Sequence, residues 1–393
     1  MESLEETFKA LAIARRTQPS EPTYILDVAL QPAPCSAALV AVSCSNRSVR
    51  LHHRETLGLQ GEFKGHTGPL CGVRFAHASP TLLYSGSADG TLRCWDTRCP
   101  GGAHATRVFR SDPAHVFCSF DVSSSDVVLC AGTEQVGEDS FLVFWDTRKP
   151  EGPLGVYSES HSDDITAVRF HPRVADRLAS GGMDGLVNVF DVKQGGEEDA
   201  LITTCNSGSS TGAICWAGVD GEQLLCLTHD EGLHLWDVRR PDSDDPLTLL
   251  CANDARSLIT LPDASPLEYF VGGAWLEEAG QLLVVGGTRG GGLHLLDCSA
   301  QGVRVVRSLA DGHSATVRCF AWEPEGGALL TGGEDGQLLQ WRAGATELQG
   351  GGRRRDLLKS SSALQLKART HRKHHSKRNN TQHTAGALNQ TPG

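Results

Sequence analysis

No Cys-x-x-Cys pair occurs among the thirteen cysteines of this 393-residue chain. That absence removes the usual structural zinc layouts, which need thiolates paired at short spacing. A small secreted disulfide framework is excluded because the chain is long. Its cysteines also fall inside apolar runs such as Leu39-Val40-Ala41-Val42-Ser43-Cys44. Buried, reduced thiols are expected, and with them the nucleus and cytoplasm as the site of residence. No run of about 18 apolar residues exists, so no membrane-spanning helix is expected. The opening Met1-Glu2-Ser3-Leu4-Glu5-Glu6 is acidic and has no apolar h-region, so no signal peptide is expected. The triplets Asn46-Arg47-Ser48 and Asn379-Asn380-Thr381 match the glycosylation acceptor pattern and would stay unmodified in a reducing compartment.

Cofactor and metal signatures are equally scarce. Gly286-Gly287-Thr288-Arg289-Gly290-Gly291-Gly292 lacks the Gly-Lys-Ser/Thr ending of a phosphate-binding loop, and no helix pattern follows it. It reads as a relaxed hairpin turn. His371, His374 and His375 stand among Lys and Arg, which disfavours a metal cation. No cofactor and no metal are expected.

What the sequence does have is a charge split and a repeat. The net charge is -11 (36 Lys+Arg, 47 Asp+Glu). Residues 353–378 hold ten Lys or Arg and one Asp, or +9, which leaves 26 against 46, or -20, for the rest. An acidic body thus precedes a basic tail. The 44 glycines recur at intervals that suggest many turns.

The repeating unit is plainest near the end: Gly312-His313, Trp322, Thr331-Gly332-Gly333-Glu334-Asp335-Gly336 and Trp341. Two short strand-like runs flank an acidic-Gly turn, the local signal for a tight hairpin. Each unit closes on a large residue: His52, Trp95, Trp145, Phe190, Trp236, Leu296 and Trp341, at spacings of 43, 50, 45, 46, 60 and 45. Asn46, Asp89, Asp184, Asp230 and Asp335 each lie six residues before that position. Ser85, Ser180 and Thr331 lie four residues before three of these acids, and His66, His161 and His313 lie 22 or 23 before the same three. Nine residues beyond each His comes Phe75, Phe170 or Trp322, and Phe120, Trp216 and Trp275 are expected to take that place in other units. All seven Trp then fall at two positions of the repeat.

This pattern resembles the WD40 repeat family, over about residues 8–345. The resemblance implies an all-β, seven-bladed propeller spanning 1–345, followed by a disordered basic tail at 346–393. It implies a side-chain hydrogen-bond chain inside a blade: His66, Ser85, Asp89 and Trp95 in unit two; His313, Thr331, Asp335 and Trp341 in unit seven. Unit four offers His161, Ser180 and Asp184, with Phe190 where the indole would be. It also implies that the last unit, with three strands of its own, borrows a fourth from Phe8–Arg15. A short helix capped by Ser3, with Ser3-Leu4-Glu5-Glu6 as a capping box, competes for that segment, and the two can share it.

The function implied is that of a noncatalytic protein-interaction scaffold, a monomeric propeller working within a complex. In the family, positions three and five beyond the Gly-His histidine line the top face. Here these are Pro69 and Cys71, Asp164 and Thr166, and Thr316 and Arg318, with Asp163 adjacent. An acidic face of this kind suits a basic partner segment. Two long acidic loops, Thr133–Ser140 and Arg239–Pro246, are expected to be exposed. A competing expectation comes from Trp95-Asp96-Thr97-Arg98 and Trp145-Asp146-Thr147-Arg148, which resemble the boxes by which WD40 substrate receptors contact the adaptor of cullin-4 ubiquitin ligases. The candidates are Asp96, Arg98, Asp146 and Arg148. The tail carries Arg353, Arg354 and Arg355, then Lys367, Arg369, Arg372, Lys373, Lys377 and Arg378. These two basic clusters resemble a bipartite nuclear import signal, and nonspecific nucleic-acid contact is the alternative.

Overall fold

The computed structural model describes residues 3–17, 21–32, 38–99, 104–111, 114–239, 246–261 and 266–346. Among them, 28 strands form seven four-stranded antiparallel sheets. Six sheets are built from consecutive strands, in blades 1 to 6 at 25–63, 70–110, 117–157, 167–206, 211–252 and 269–309. Each first strand packs against the first strand of the next blade, and that of blade 7 (Val317–Glu323) returns to that of blade 1 (Ile25–Leu30). The ring is therefore closed. All blades share one strand order, so the starts of the inner strands lie at one end of the central channel and their ends at the other.

Burial explains the sequence pattern. The second strand of a blade is covered on both faces by its neighbours, and so reads as a continuous apolar run rather than an alternation. Leu39–Cys44 and Ala328–Gly333 are buried at all six positions. The hairpin that follows turns on Gly90, Gly185 and Gly336, at φ of 75°, 82° and 73°, the left-handed region that glycine enters without a Cβ penalty. One residue earlier, Asp89, Asp184 and Asp335 each accept from the N–H two residues on, at 3.0 Å. The acidic-Gly signature is thus a turn mechanism.

Blade 7 takes its fourth strand from the N-terminus. Leu11–Arg16 pairs antiparallel with Leu338–Ala343, Leu11 opposite Ala343 and Ile13 opposite Trp341. Both readings of this segment hold in succession. A five-residue helix, Leu4–Phe8, comes first, with the Ser3 hydroxyl accepting from Glu6 N–H at 3.4 Å. The strand starts at Leu11 and not at Phe8, because Leu4 and Phe8 are drawn into the core. Both are 0% exposed and pack among Leu276, Leu283 and Trp341.

The structure corrects two assignments. Phe120 does not occupy the inner-strand aromatic position. In blade 2, Phe75 pairs with Leu83, which pairs with Trp95; in blade 3, Val122 pairs with Leu129, which pairs with Trp145. Val122 therefore holds that place. Phe120 sits two residues earlier, where its ring fills space left by Gly86 of blade 2; a Cβ there would come within 2.5 Å of it. The seven Trp still fall at two register positions, since Trp216, Trp275 and Trp322 pair with Leu224, Leu282 and Leu329 as Phe75 does with Leu83. In blade 6, however, Leu282 pairs onward with Cys298, so Cys298 holds the closing place and Leu296 lies two residues earlier, because the hairpin of this blade is longer. Of the two acidic loops, 134–139 is exposed, while 240–245 lies outside the described residues. So do residues 347–393, with both basic clusters.

Candidate functional site

Inside blade 2, His66 Nδ1 lies 2.9 Å from Asp89 Oδ2, His66 Nε2 lies 2.8 Å from Ser85 Oγ, and Trp95 Nε1 donates to that hydroxyl at 2.8 Å. With Asp89 ionised and His66 neutral, one assignment satisfies every buried atom. The indole donates to Ser85, Ser85 to His66 Nε2, and His66 Nδ1–H to Asp89. Blade 7 repeats it through His313–Asp335 (3.0 Å), His313–Thr331 (2.8 Å) and Trp341–Thr331 (2.9 Å). In blade 4, His161 meets Asp184 at 3.0 Å and Ser180 at 2.7 Å. Where the indole is missing, Asn188 Nδ2 instead donates to Ser160 carbonyl at 2.7 Å and reaches His161 Nε2 at 3.3 Å. Asn188 carried no repeat signal, because its buried position holds a different residue in other units, Arg93, Val143, His234 or Leu339.

These residue types also make a hydrolase triad, but Ser85 is fully buried, accepts from Trp95 and spends its proton on His66. Its hydroxyl has no access to a substrate, and its hydrogen bonds are already made inside the blade. Burial pushes the Asp89 carboxyl up, but hydrogen bonds from His66 and Thr91 and from the Thr67 N–H outweigh it and hold the group below the usual carboxylate range. Asp184 and Asp335 are lowered in the same way. Such groups stabilise the fold above their unfolded pKa of about 3.9, and that contribution is lost as pH falls through the depressed folded value. Thermal melts are therefore expected to be flat above about pH 5 and to fall below about pH 4. Asp89→Asn, which leaves a buried donor unmatched, is expected to cost about 1–3 kcal/mol at pH 7 and to flatten the acid limb. An acid limb unchanged in this variant would contradict the assignment.

At the channel end where inner strands begin, the rim residues have unequal freedom. Thr166 Oγ1 donates to the Thr211 carbonyl of the next blade at 2.6 Å, so it ties blades together. Arg318 is held by Glu334, with Nε 2.9 Å from the carboxylate. The backbone of Thr316 accepts from Glu334 N–H at 2.8 Å. Cys71 lines the channel, its thiol pushed up to about 12 by burial, and is inert as a nucleophile. Asp163 and Asp164 are half-buried and enter no ion pair among the described residues. The long loop of blade 3 leans over them: Gln135 N–H donates to Asp164 Oδ1 at 2.8 Å and its side chain to the Ser162 carbonyl at 2.6 Å. Glu134, Glu138 and Asp139 are exposed on that loop.

The channel itself holds a cavity of about 500 Å³ with charges that sequence reading missed. Arg74 reaches Asp27 at 2.6 Å and Asp121 at 3.5 Å, joining blades 1, 2 and 3. Arg169 of blade 4 donates to Val168 carbonyl at 2.8 Å, and burial, then the nearby Arg74 charge, pulls its guanidinium pKa down. A signal existed, because Arg74 and Arg169 each immediately precede the inner-strand aromatic.

Each Trp-Asp-x-Arg box folds on itself. Asp96 accepts from Arg98 N–H and guanidinium (2.9 and 2.6 Å), and Asp146 does the same with Arg148 (2.9 and 2.7 Å). Asp237–Arg239 repeats the turn in blade 5. Arg follows two residues after Asp because the same carboxylate serves backbone and side chain. Among the described residues no group of His, Cys, Asp and Glu could hold a metal ion, and no helix is long and apolar enough to cross a membrane.

A sequence model described as "WD domain, G-beta repeat" matches residues 58–96, 152–191 and 304–342. These segments end in the three blades that keep the His–Ser/Thr–Asp chain. The chain is 31% identical over 325 residues to WD repeat-containing protein GTS1 of Arabidopsis thaliana, covering 79% of this chain and 80% of that one. The stretches His161-Ser162-Asp163-Asp164, Glu197-Glu198-Asp199-Ala200-Leu201, Thr228-His229-Asp230-Glu231-Gly232 and Gly332-Gly333-Glu334-Asp335 resemble WD repeat-containing protein 89. The homolog of that protein in Dictyostelium discoideum is 26% identical over 318 residues, covering 81% of this chain and 82% of its own length. An uncharacterized WD repeat-containing protein of Saccharomyces cerevisiae is 42% identical over 131 residues, covering 33% of this chain and 32% of its own. Sequence period, closed ring and relatives agree: the chain belongs to the WD40 repeat family, whose propellers are protein-interaction scaffolds and generally not catalysts.

Proposed function

We propose that this propeller binds a basic segment of a partner protein at the channel end where its inner strands begin. The observation that carries the reading is the set of unpaired carboxylates there. Asp163 and Asp164 stand beside Glu134, Glu138 and Asp139, and none is in an ion pair among the described residues. On a body with a sequence net charge of -20, they supply steering and register for Lys and Arg. The test is affinity capture from cell extract with Asp163→Lys/Asp164→Lys against wild type. Charge reversal is expected to release at least one basic partner, with the fold intact by circular dichroism. Retention of every partner would overturn the proposal.

The adaptor reading of Asp96, Arg98, Asp146 and Arg148 gains nothing from the geometry, since each Asp is already occupied by its own Arg. Residence in nucleus and cytoplasm, through import by the basic clusters at 353–378, belongs to the same proposal, as does their alternative role in nucleic-acid contact. Those residues lie outside the described part of the chain.

A further inference from the structure

The channel cavity of about 500 Å³ falls in the size range of ligand pockets, and the charges on its lining do not balance. Three arginines line it, Arg74, Arg169 and Arg318, against one carboxylate, Asp27. Two of the three are satisfied. Arg74 is held by Asp27 and Asp121, and Arg318 by Glu334. Arg169 is in no ion pair among the described residues.

The two nearby carboxylates are engaged elsewhere. Asp27 Oδ1 accepts from Val28 N–H at 2.9 Å, and its Oδ2 accepts from Val73 N–H at 3.0 Å besides Arg74. Asp121 accepts from Phe170 N–H at 2.8 Å. Arg169 donates through Nη1 to the Val168 carbonyl at 2.8 Å, which leaves its Nε–Nη2 edge without an acceptor among the described residues. That edge carries two parallel N–H groups, the fork that matches both oxygens of one carboxylate. A guanidinium taken from bulk water without a counter-charge is costly. Burial and the nearby Arg74 accordingly pull its pKa down. Much of the remaining wall is apolar, including Ala213, Cys215, Val271 and Phe320.

We propose that the channel binds a monocarboxylate on an apolar body, its two oxygens accepting from Nε and Nη2 of Arg169. One negative charge matches the one uncompensated guanidinium. A dianion such as phosphate would place surplus charge beside Asp27, and a cation would be repelled by Arg169. The apolar walls cover the body of the ligand. A free small acid and the C-terminal carboxylate of a polypeptide offer Arg169 the same group. The site lies inside the ring and does not rest on the basic segment proposed for the Asp163–Asp164 rim.

The test uses the full-length chain, with benzoate and the peptide Gly-Gly-Phe bearing a free C-terminal carboxylate as probes. Benzamide and the C-terminal amide of the same peptide are the neutral controls, and inorganic phosphate is the dianion. At least one acid is expected to bind in calorimetry and to shift the Arg169 side-chain Nε–H resonance, which is assigned by its loss in Arg169→Met. The neutral controls and phosphate are expected to bind at least tenfold more weakly. Arg169→Met, which keeps the length of the stem, is expected to abolish binding. Arg169→Lys, which keeps the charge and loses the fork, is expected to weaken it at least fivefold and serves if the first variant fails to fold. Asp163→Lys/Asp164→Lys is expected to bind the acid as wild type does. A response to benzoate alone assigns a free acid, and one to the peptide acid a polypeptide terminus; either supports the proposal. An Arg169 resonance unmoved by both acids, an equal response to acid and amide, or affinity unchanged in Arg169→Lys overturns it.

Discussion

A chain that begins at residue 17 is expected to lose cooperative thermal unfolding. Deleting 1–16 removes the outer strand of blade 7, the fully buried Leu4 and Phe8, and Leu11 at 4% exposure. Burying a Leu or Phe is worth about 2–5 kcal/mol when truncation to Ala is the measure. Three such losses reach the whole net stability of a typical domain, about 5–15 kcal/mol. The deletion also breaks the clasp between blades. Leu4 N–H donates to Gln281 of blade 6 at 2.9 Å, and Glu5 pairs with Arg304 of the same blade. Calorimetry on the truncated chain, with Phe8→Ala as a milder comparison costing about 3–5 kcal/mol, measures this. A melting temperature unchanged by the deletion would refute closure by the N-terminus.

The second large effect concerns Glu323. Its carboxylate ends the inner strand of blade 7 and meets Arg54 of blade 1 at 3.1 Å, with side chains 6% and 8% exposed. Arg342 approaches the same carboxylate at 3.7 Å and pairs with Glu55 at 3.1 Å. Arg54 further donates to the Gln31 carbonyl, and Gln340 donates to the Arg54 carbonyl at 3.0 Å. The network therefore fastens the last blade to the first. Removing one partner of a buried pair strands the other charge, so Glu323→Gln is expected to cost about 3–5 kcal/mol. Arg54→Met/Glu323→Leu is expected to recover most of that loss, because no charge is left behind. Urea midpoints for the single and double variants form the cycle. A Glu323→Gln midpoint equal to wild type would remove this pair from the closure.

The contrast between these two predictions separates what was readable from what was not. The borrowed strand was legible, since three strands in unit seven and an apolar N-terminal segment imply each other. The helix before it was legible only as a competitor, because the capping box and the strand pattern overlap at Phe8. Leu4 and Phe8 as core residues depend on Leu276, Leu283 and Trp341, which reach the same place from blades 6 and 7. The pairing of Arg54 with Glu323 spans 269 residues and leaves no trace in any local pattern.

The same division holds for the surfaces. Asp163 and Asp164 follow a Gly-His-type histidine at fixed offset and could be placed on a rim. The approach of Gln135 from blade 3 could not, because a loop's lean depends on its neighbour. Phe120 was misplaced for the same reason, since its ring is held by the glycines of blade 2 rather than by its own repeat.

By itself the sequence determined the blade: its period, its turn acids, its two tryptophan positions and the His–Ser/Thr–Asp–Trp chain. All of these lie within about 30 residues and are set by hairpin register and turn geometry. Only the tertiary structure decided what lies between blades. The channel pairs of Arg74 and the clasp of Arg54 with Glu323 each join residues from different repeats. Their energies arise from side chains that a closed ring brings together and removes from water, and a periodic pattern read along one chain does not encode that encounter.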